Sequence, residues 1–234
     1  MCNKKSCCVL ITLLLLLAGP GQADEPARTD PARDLTGLQA RYGKLISLAF
    51  DFTQQTRTQV RVRQGRGTAI FVRIKEKNNP GIMRWNYTEP EKQIILNTGE
   101  ELSIYNDQEH QLLVMPAATV NDDITYSLFS GRQRLEDLFS VQPPDQRFLY
   151  QQPDTALKTL RLVPKKTQPQ VKSIQLWFDS DYLIHHLVIE DHFETITEMN
   201  FNNIRINTID PDDPAQIRKI THLDLPDDVE ILNQ

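Results

Sequence analysis

The spacing of apolar positions changes near residue 49. Before that point Leu35, Leu38, Tyr42, Leu45, Ile46 and Ala49 recur at the three- and four-residue intervals of one helical face. Asp30 followed by Pro31 offers a side-chain N-cap and a preset first-turn φ. The pattern predicts a helix over residues 31–48. After it, "AFDFTQQTRTQVRVRQGRGTAIFVRI" alternates bulky and polar residues, the period of a strand with one buried face. Residues 64–67, Gln-Gly-Arg-Gly, are the expected break or twist in this run. Strands are predicted over residues 82–87, 92–96, 102–105 and 111–115. The segments between them, "TEPE", "NTGEE" and "NDQEH", have turn composition.

The alternation then stops. In "TVNDDITYSLFSGRQRLEDLFSVQPPD" the residues Ile124, Leu128, Leu135, Leu138 and Phe139 return to helical intervals, with Gly131 placed to end a first short helix. Strand patterning resumes over residues 146–151, 157–163, 171–178, 184–190 and 195–206. A Pro/Asp-rich loop, "IDPDDPAQ", precedes a last extended piece, "ITHLDLP". The total is about eleven strands and three helices. A meander of that length curls towards a barrel or half-barrel. The fold class is therefore α+β, mainly antiparallel, with helices at the start and middle of the chain placed to cover the opening of such a barrel or half-barrel.

The first residues change where such a fold would work. Lys4 and Lys5 precede an apolar run over residues 9–18, and Gly21-Gln22-Ala23 is a small-residue cleavage pattern. The run is too short for the roughly 20 residues that span a bilayer as a helix. Residues 1–23 are expected to be a secretory signal peptide and residues 24–234 a single domain, exported and soluble. Cys2, Cys7 and Cys8 all fall in the leader, so the exported chain would carry neither thiol nor disulfide. Pro20 stands where a lipid-attachment site would need cysteine. The formal charge of −5 argues against nucleic acid, whose phosphates need a cationic stripe.

Catalytic chemistry is hard to find. In "IHHLVIEDH", His186 and Glu190 would share a strand face yet lie about 13 Å apart at ~3.3 Å per residue, too far for one metal ion. His185 would point to the opposite face. "DPDDP", with Asp210, Asp212 and Asp213, lacks the glycine and distal glutamate of a calcium loop. Phosphate-loop, zinc and nucleophile-elbow motifs do not occur. The expectation is a protein that is no enzyme and needs no cofactor or metal.

"GIMRWNY" asks a sharper question. Met83, Trp85 and Tyr87 alternate with Arg84 and Asn86, so three large side chains share one face. They either pack a closed core or line a space kept for something else. Sequence alone leaves both readings open.

Motifs in order along the chain bear on that choice. "FDFTQQ" follows an amphipathic helix; then come "GRGTAIFVRI", "NPGIMRWNYTEPEKQIIL", "NTGEELSIYN" and, near the end, "NFNNIRIN…LDLPDDVEI". Their order and spacing resemble the LolA family, periplasmic carriers of bacterial outer-membrane lipoproteins, over nearly all of the exported chain. The resemblance implies an incomplete, half-open β-barrel with helices over its mouth, and an apolar cavity on the concave side of the sheet that shields lipoprotein acyl chains. It implies an inner-membrane ABC-type exporter as donor, an outer-membrane acceptor such as a lipoprotein receptor, and a periplasmic monomer. Aligned with the family, Phe50, Phe52, Ala69, Phe71, Met83, Trp85, Tyr87 and Ile95 face the cavity from the sheet. Leu128, Phe129, Leu135 and Phe139 face it from the lid.

One departure concerns the arginine that precedes the proline in the family and holds the lid closed. Here Asn79 precedes Pro80, and "IKEKNN" reads as an insertion. Arg73 is the best positional match, with Lys75 and Lys77 as rivals. Its planar N–H groups would reach carbonyls of a lid helix, or it is a strand-end arginine in solvent. Other readings that keep the exported chain are a carrier of a different envelope lipid or glycolipid, a lipoprotein sensor, an exported enzyme, and a structural envelope protein without a cavity.

Overall fold

A computed structural model describes residues 30–74, 81–117, 128–129, 134–149, 156–168 and 170–233. The leader at residues 1–23, Ile124, Gly131, Lys75, Lys77, Asn79 and Pro80 lie outside the described residues.

Helix α1 spans Pro31–Lys44. The Asp30 carboxylate accepts from the Ala32 and Arg33 amides at 3.1 and 3.3 Å, closing the exposed first turn. Leu35, Leu38 and Tyr42 form the buried stripe. The predicted continuation to residue 48 is not made. Ser47 and Leu48 already belong to strand β1 (Ser47–Arg57), where they pair with Val72 and Phe71 of β2 (Val62–Val72). The ladder satisfies more backbone than another helical turn would.

The turn between β1 and β2 falls at residues 58–61, not at the glycines of residues 64–67, which lie inside β2. Thr58 Oγ1 accepts from the Arg61 amide at 3.0 Å and fixes that turn. Gly67 has a different use. A Cβ there would collide with the Asn86 backbone carbonyl, so its absence lets β3 (Ile82–Glu89) close on β2 at a bulge between Arg66 and Gly67.

The sheet continues through β4 (Gln93–Asn97), β5 (Glu101–Asn106) and β6 (Gln111–Pro116). Later come α2 (Leu135–Leu138), β7 (Phe139–Gln142), α3 (Gln146–Leu149), β8 (Lys158–Pro164), β9 (Ser173–Phe178), β10 (Ile184–Glu190) and β11 (Ile196–Ile206). Helix α4 (Pro214–Thr221) and β12 (Glu230–Asn233) end the chain. The 12 strands among the described residues form one sheet in the order β12-β6-β5-β4-β3-β2-β1-β11-β10-β9-β8-β7. Every pairing is antiparallel except β12 with β6, which is parallel. β12 and β7 are the two edges, so the sheet is open rather than closed into a barrel.

Three predicted elements are corrected. Residues 146–149 form the short helix α3 instead of a strand, and the strand of that region is β7, just before it. Phe148 packs on Trp177 and Val188, and the Asp145 carboxylate accepts from the Arg147 amide at 2.9 Å, which favours a turn. The "IDPDDPAQ" segment is partly helical: Asp213 caps α4 through the Ala215 and Gln216 amides at 2.8 and 3.4 Å, with Pro214 as first residue. "ITHLDLP" ends that helix and continues as coil; the extended piece is β12, further on.

The convex face is apolar beneath these additions. Ile220 packs with Val72, Ile82 and Leu96, and Leu223 and Leu225 lie against Ile94, Tyr105 and Leu112. Strands β3 to β6 thus carry apolar residues on both faces, because α4 and the tail cover one of them.

Candidate functional site

The concave face carries the largest apolar cluster; ten of the twelve residues expected there are in it and two pack against it. Phe139 comes from strand β7 and not from the lid, because its backbone pairs with Pro164 of β8. Phe50, Phe52, Ala69, Phe71, Met83, Trp85, Leu128, Phe129, Leu135 and Phe139 are buried there; Tyr87 and Ile95 are partly buried against it. Pairing explains how the rings meet. Phe50 lies opposite Ala69, which lies opposite Trp85; Phe52 lies opposite Gly67, which lies opposite Tyr87. The small residues of β2 leave a furrow across which rings of β1 and β3 touch. Phe50 and Trp85 are 5.8 Å apart, and Phe52 lies 4.9 Å from both Trp85 and Tyr87.

Phe129 is the keystone on the lid side. Its ring lies 5.2 Å from Phe71, 5.6 Å from Phe50, 5.5 Å from Phe201 and 6.0 Å from Tyr42. This half of the concave face is closed.

The other half is not. Met83, Trp85, Tyr87 and Ile95 line a cleft of about 330 Å³ with Gln54, Leu102, Ile104, Ile189, Thr197 and Met199. The cleft reaches from β10 and β11 to β5. The two readings of "GIMRWNY" therefore both hold in part: one flank of Trp85 packs on rings, the other faces open space. Reading along single strands misses Leu102, Ile104, Ile189 and Met199. The register that brings Ile104 opposite Ile95, and Leu187 opposite Met199, is the signal that could find them.

At its outer end the cleft turns polar. Tyr87 donates its hydroxyl to Gln54 Oε1 at 2.9 Å, and Gln54 also borders hollows of about 560 and 340 Å³ lined by Gln64, Gly65, Glu89 and Pro90. The trough is apolar inside and hydrogen-bonding at its exit.

Helix α1 is tied over the concave side by polar contacts. Arg73 donates from Nε to the Leu45 carbonyl at 3.0 Å and from Nη2 to the Tyr42 carbonyl at 2.9 Å. Its guanidinium thereby occupies the carbonyl end of the helix, where a cation is favoured. Gln39 Oε1 accepts from the Leu135 amide at 2.8 Å, joining α1 to α2. Lys158 pairs with the buried Asp34 at 3.0 Å, joining it to β8. The Ile184 amide donates to the Tyr42 hydroxyl at 3.1 Å, and burial pushes that hydroxyl's pKa well above the usual phenol range.

The histidines considered above are apart. His185 meets Asp179 at 2.8 Å, while His186 stands against the Trp177 ring and bonds Asn200 at 2.7 Å. Burial lowers the His186 pKa, so the ring is neutral at pH 7. Asp210 accepts from the Asp212 amide and Asp213 caps α4, which accounts for "DPDDP" as loop and cap chemistry. Among the described residues no cluster of three or more His, Cys, Asp or Glu is placed to hold a metal, and no helix is long and apolar enough to cross a membrane.

An open antiparallel sheet, a ring-lined concave face and a helix fastened across it define a binding protein with an apolar trough. The family described as "Outer membrane lipoprotein carrier protein LolA" matches residues 43–213, and the chain belongs to it. Relatives named outer-membrane lipoprotein carrier protein include one from Nitrosomonas europaea, 26% identical over 64% of this chain and 68% of its own. Another, from Methylococcus capsulatus, is 26% identical over 70% of this chain and 74% of its own. One from Shewanella sediminis is 25% identical over 96% and 93%. A solved structure of an uncharacterised conserved protein from Thermus thermophilus shares the fold at TM-score 0.51 and 10% identity, over 87% of this chain and 99% of its own.

Proposed function

We propose that the protein is a periplasmic chaperone that takes the acyl chains of lipoproteins released from the inner membrane and carries them to the outer membrane. The cleft on the inner face of β3 to β5 carries this reading: its floor is apolar and its exit polar. Acyl chains would lie on Met83, Trp85, Tyr87 and Ile95, and the lipoprotein's polypeptide would leave past Gln54 and Gln64. After removal of residues 1–23, residues 24–234 act as one monomeric domain. An inner-membrane ABC-type exporter supplies the cargo and an outer-membrane acceptor receives it.

Energetics favour partial shielding. Three acyl chains of about 15 methylenes each represent about 36 kcal/mol of transfer free energy at ~0.8 kcal/mol per methylene. Non-covalent affinities saturate near −18 to −21 kcal/mol, and a carrier must also let go. A cleft of about 330 Å³ sits at the low end for small-ligand sites and leaves part of such a cargo outside. Met83 and Met199 give it a soft, adaptable wall. Longer insertion requires Phe129 to leave its ring cluster and α1 to swing away, so the lid sets access.

The test is release. Membranes carrying the exporter and labelled lipoproteins are incubated with ATP and the protein, and soluble complexes are sought. A soluble complex containing the lipoprotein supports the reading; lipoprotein that stays in the membrane ends it. Mass spectrometry of lipid extracted from protein isolated from its own envelope separates a diacylglyceryl-cysteine cargo from a free lipid or glycolipid.

A further inference from the structure

The end of the sheet where the cleft turns polar also bears the two most exposed apolar side chains among the described residues. Val60 is 95% exposed at the tip of the β1–β2 turn and Phe193 is 80% exposed at the tip of the β10–β11 turn. These turns are neighbours, because β1 and β11 pair up to Arg57 opposite Ile196 and Gln59 donates to Glu194 across the gap at 3.5 Å. Neither tip is slack. Thr58 Oγ1 accepts from the Arg61 amide, and the Asp191 carboxylate accepts from the Phe193 and Thr195 amides at 2.7 and 2.8 Å. Two apolar groups are thus held outward by tied backbone, at a cost in water that burial elsewhere in the described chain does not relieve.

The charge beside them runs against the rest of the molecule. Residues 57–66 hold four arginines and no acid in a chain of net charge −5. Arg66 pairs with Glu89, but Arg57, Arg61 and Arg63 have no carboxylate partner among the described residues. Asp191 and Glu194 keep their charges on the β10–β11 turn, each bonded only to neutral amides among the described residues, so the positive charge is confined to the β1–β2 turn and the start of β2.

We propose that this end of the sheet docks on an anionic lipid bilayer, with Val60 and Phe193 entering the interface and Arg57, Arg61 and Arg63 meeting lipid phosphates. An apolar tip flanked by basic residues, as Val60 is, has the composition of an interfacial anchor, and Phe193 on the adjoining turn adds a second apolar side chain to it. Protein partners instead favour continuous, desolvated patches around a central anchor, whereas here single side chains stand on separate turns. Ile189 and Thr197, which line the cleft, flank the turn that carries Phe193, so the docked end is the one through which the cleft opens. The docking itself needs no cargo and stands or falls apart from the carrier reading.

The experiment is vesicle flotation of the protein isolated from its native cells. Phosphatidylethanolamine–phosphatidylglycerol vesicles are compared with phosphatidylcholine vesicles at low and physiological salt. Binding to the anionic vesicles, weakened by salt, is expected. Val60→Ser with Phe193→Ser should lower the partition coefficient about a hundredfold, and Arg57→Gln with Arg61→Gln and Arg63→Gln about tenfold with loss of salt dependence. Ile95→Asp, within the cleft, should leave vesicle binding unchanged, which separates docking from cargo uptake. No binding to anionic vesicles, equal binding to both kinds, or a double-serine variant that floats like the parent overturns the proposal. So does crosslinking of these tips to a membrane protein while protein-free vesicles are ignored.

Discussion

Arg73 reaches back across 31 residues of chain to the backbone carbonyl of Tyr42, 2.9 Å from its Nη2. The same guanidinium holds the Leu45 carbonyl, so one side chain closes the C-terminal end of α1 onto the end of β2. Hydrogen bonds from a charged donor contribute about 1.5–3 kcal/mol each. Arg73→Leu should therefore destabilise the docked position of α1 by about 3 kcal/mol, and Arg73→Lys by less, because an ammonium lacks the planar fork. Hydrogen exchange resolves this: amides of α1 should exchange faster in the variant while those of β9 and β10 keep their protection. Uniform acceleration across the chain would mean that Arg73 serves global stability and not the helix.

The cleft wall gives the second prediction. Ile95 is partly exposed to the cleft, so Ile95→Asp should fold while placing a carboxylate on the apolar floor. Binding of a fluorescent acyl probe should fall at least about tenfold, with little change in the urea midpoint. Phe129→Ala should act in the opposite sense. It removes a buried ring at about 3–5 kcal/mol of stability and extends the cleft towards Phe50 and Phe71, so the variant should take up the probe more tightly or in larger amount. Equal probe binding by all three proteins would place acyl chains elsewhere.

Asp213 tests the outer layer. Its carboxylate caps α4, whose Ile220 covers Val72, Ile82 and Leu96. Asp213→Ala should cost about 1 kcal/mol, visible as a lower thermal midpoint, and should leave acyl-probe binding untouched because α4 lies on the convex face. Altered probe affinity would show that the two faces communicate through the sheet.

That helix also marks where sequence reading stops. Asp213-Pro214 repeats the Asp30-Pro31 signal that locates α1, yet the surrounding "DPDD" reads as loop because its acids outnumber its apolar residues. The stripe of Ile217 and Ile220 is too short to announce a helix before its partner surface is known. The concave residues are legible for the opposite reason. Alternation fixes which side chains of the sheet share a face, and the eight so aligned meet at one cluster. Closure is less legible. Whether Trp85 faces rings or space depends on Ala69 and Gly67 beside it, and on Met199 and Ile104 from strands far away in sequence. A pattern read along one strand carries no such cross-strand information. Leu48 is a further case: local periodicity extends α1 through it, and pairing with Phe71 and Ile206 takes it into β1.

Glu190 sets the response to acid. It is almost fully buried, and burial alone would raise its pKa; hydrogen bonds from Lys172 and Arg147, both at 3.0 Å, outweigh that and hold it below the ordinary carboxylate value. Arg147 also bonds Asp145 and lowers its pKa in turn. A carboxyl whose folded pKa is depressed contributes stability that is fully present above its unfolded value, about 4.3 for glutamate, and is lost as pH falls through the folded value. Urea unfolding should show stability steady from neutrality to about pH 5 and declining below about pH 4. Glu190→Gln keeps the shape but removes the charge facing Lys172 and Arg147, and should cost about 2 kcal/mol at pH 7. As pH falls below the unfolded glutamate value the charge of Glu190 contributes progressively less, so the gap between parent and variant at pH 7 should narrow by about pH 3. A gap of equal size at both pH values would show that packing, and not the charge of Glu190, holds the outer side of β10 together.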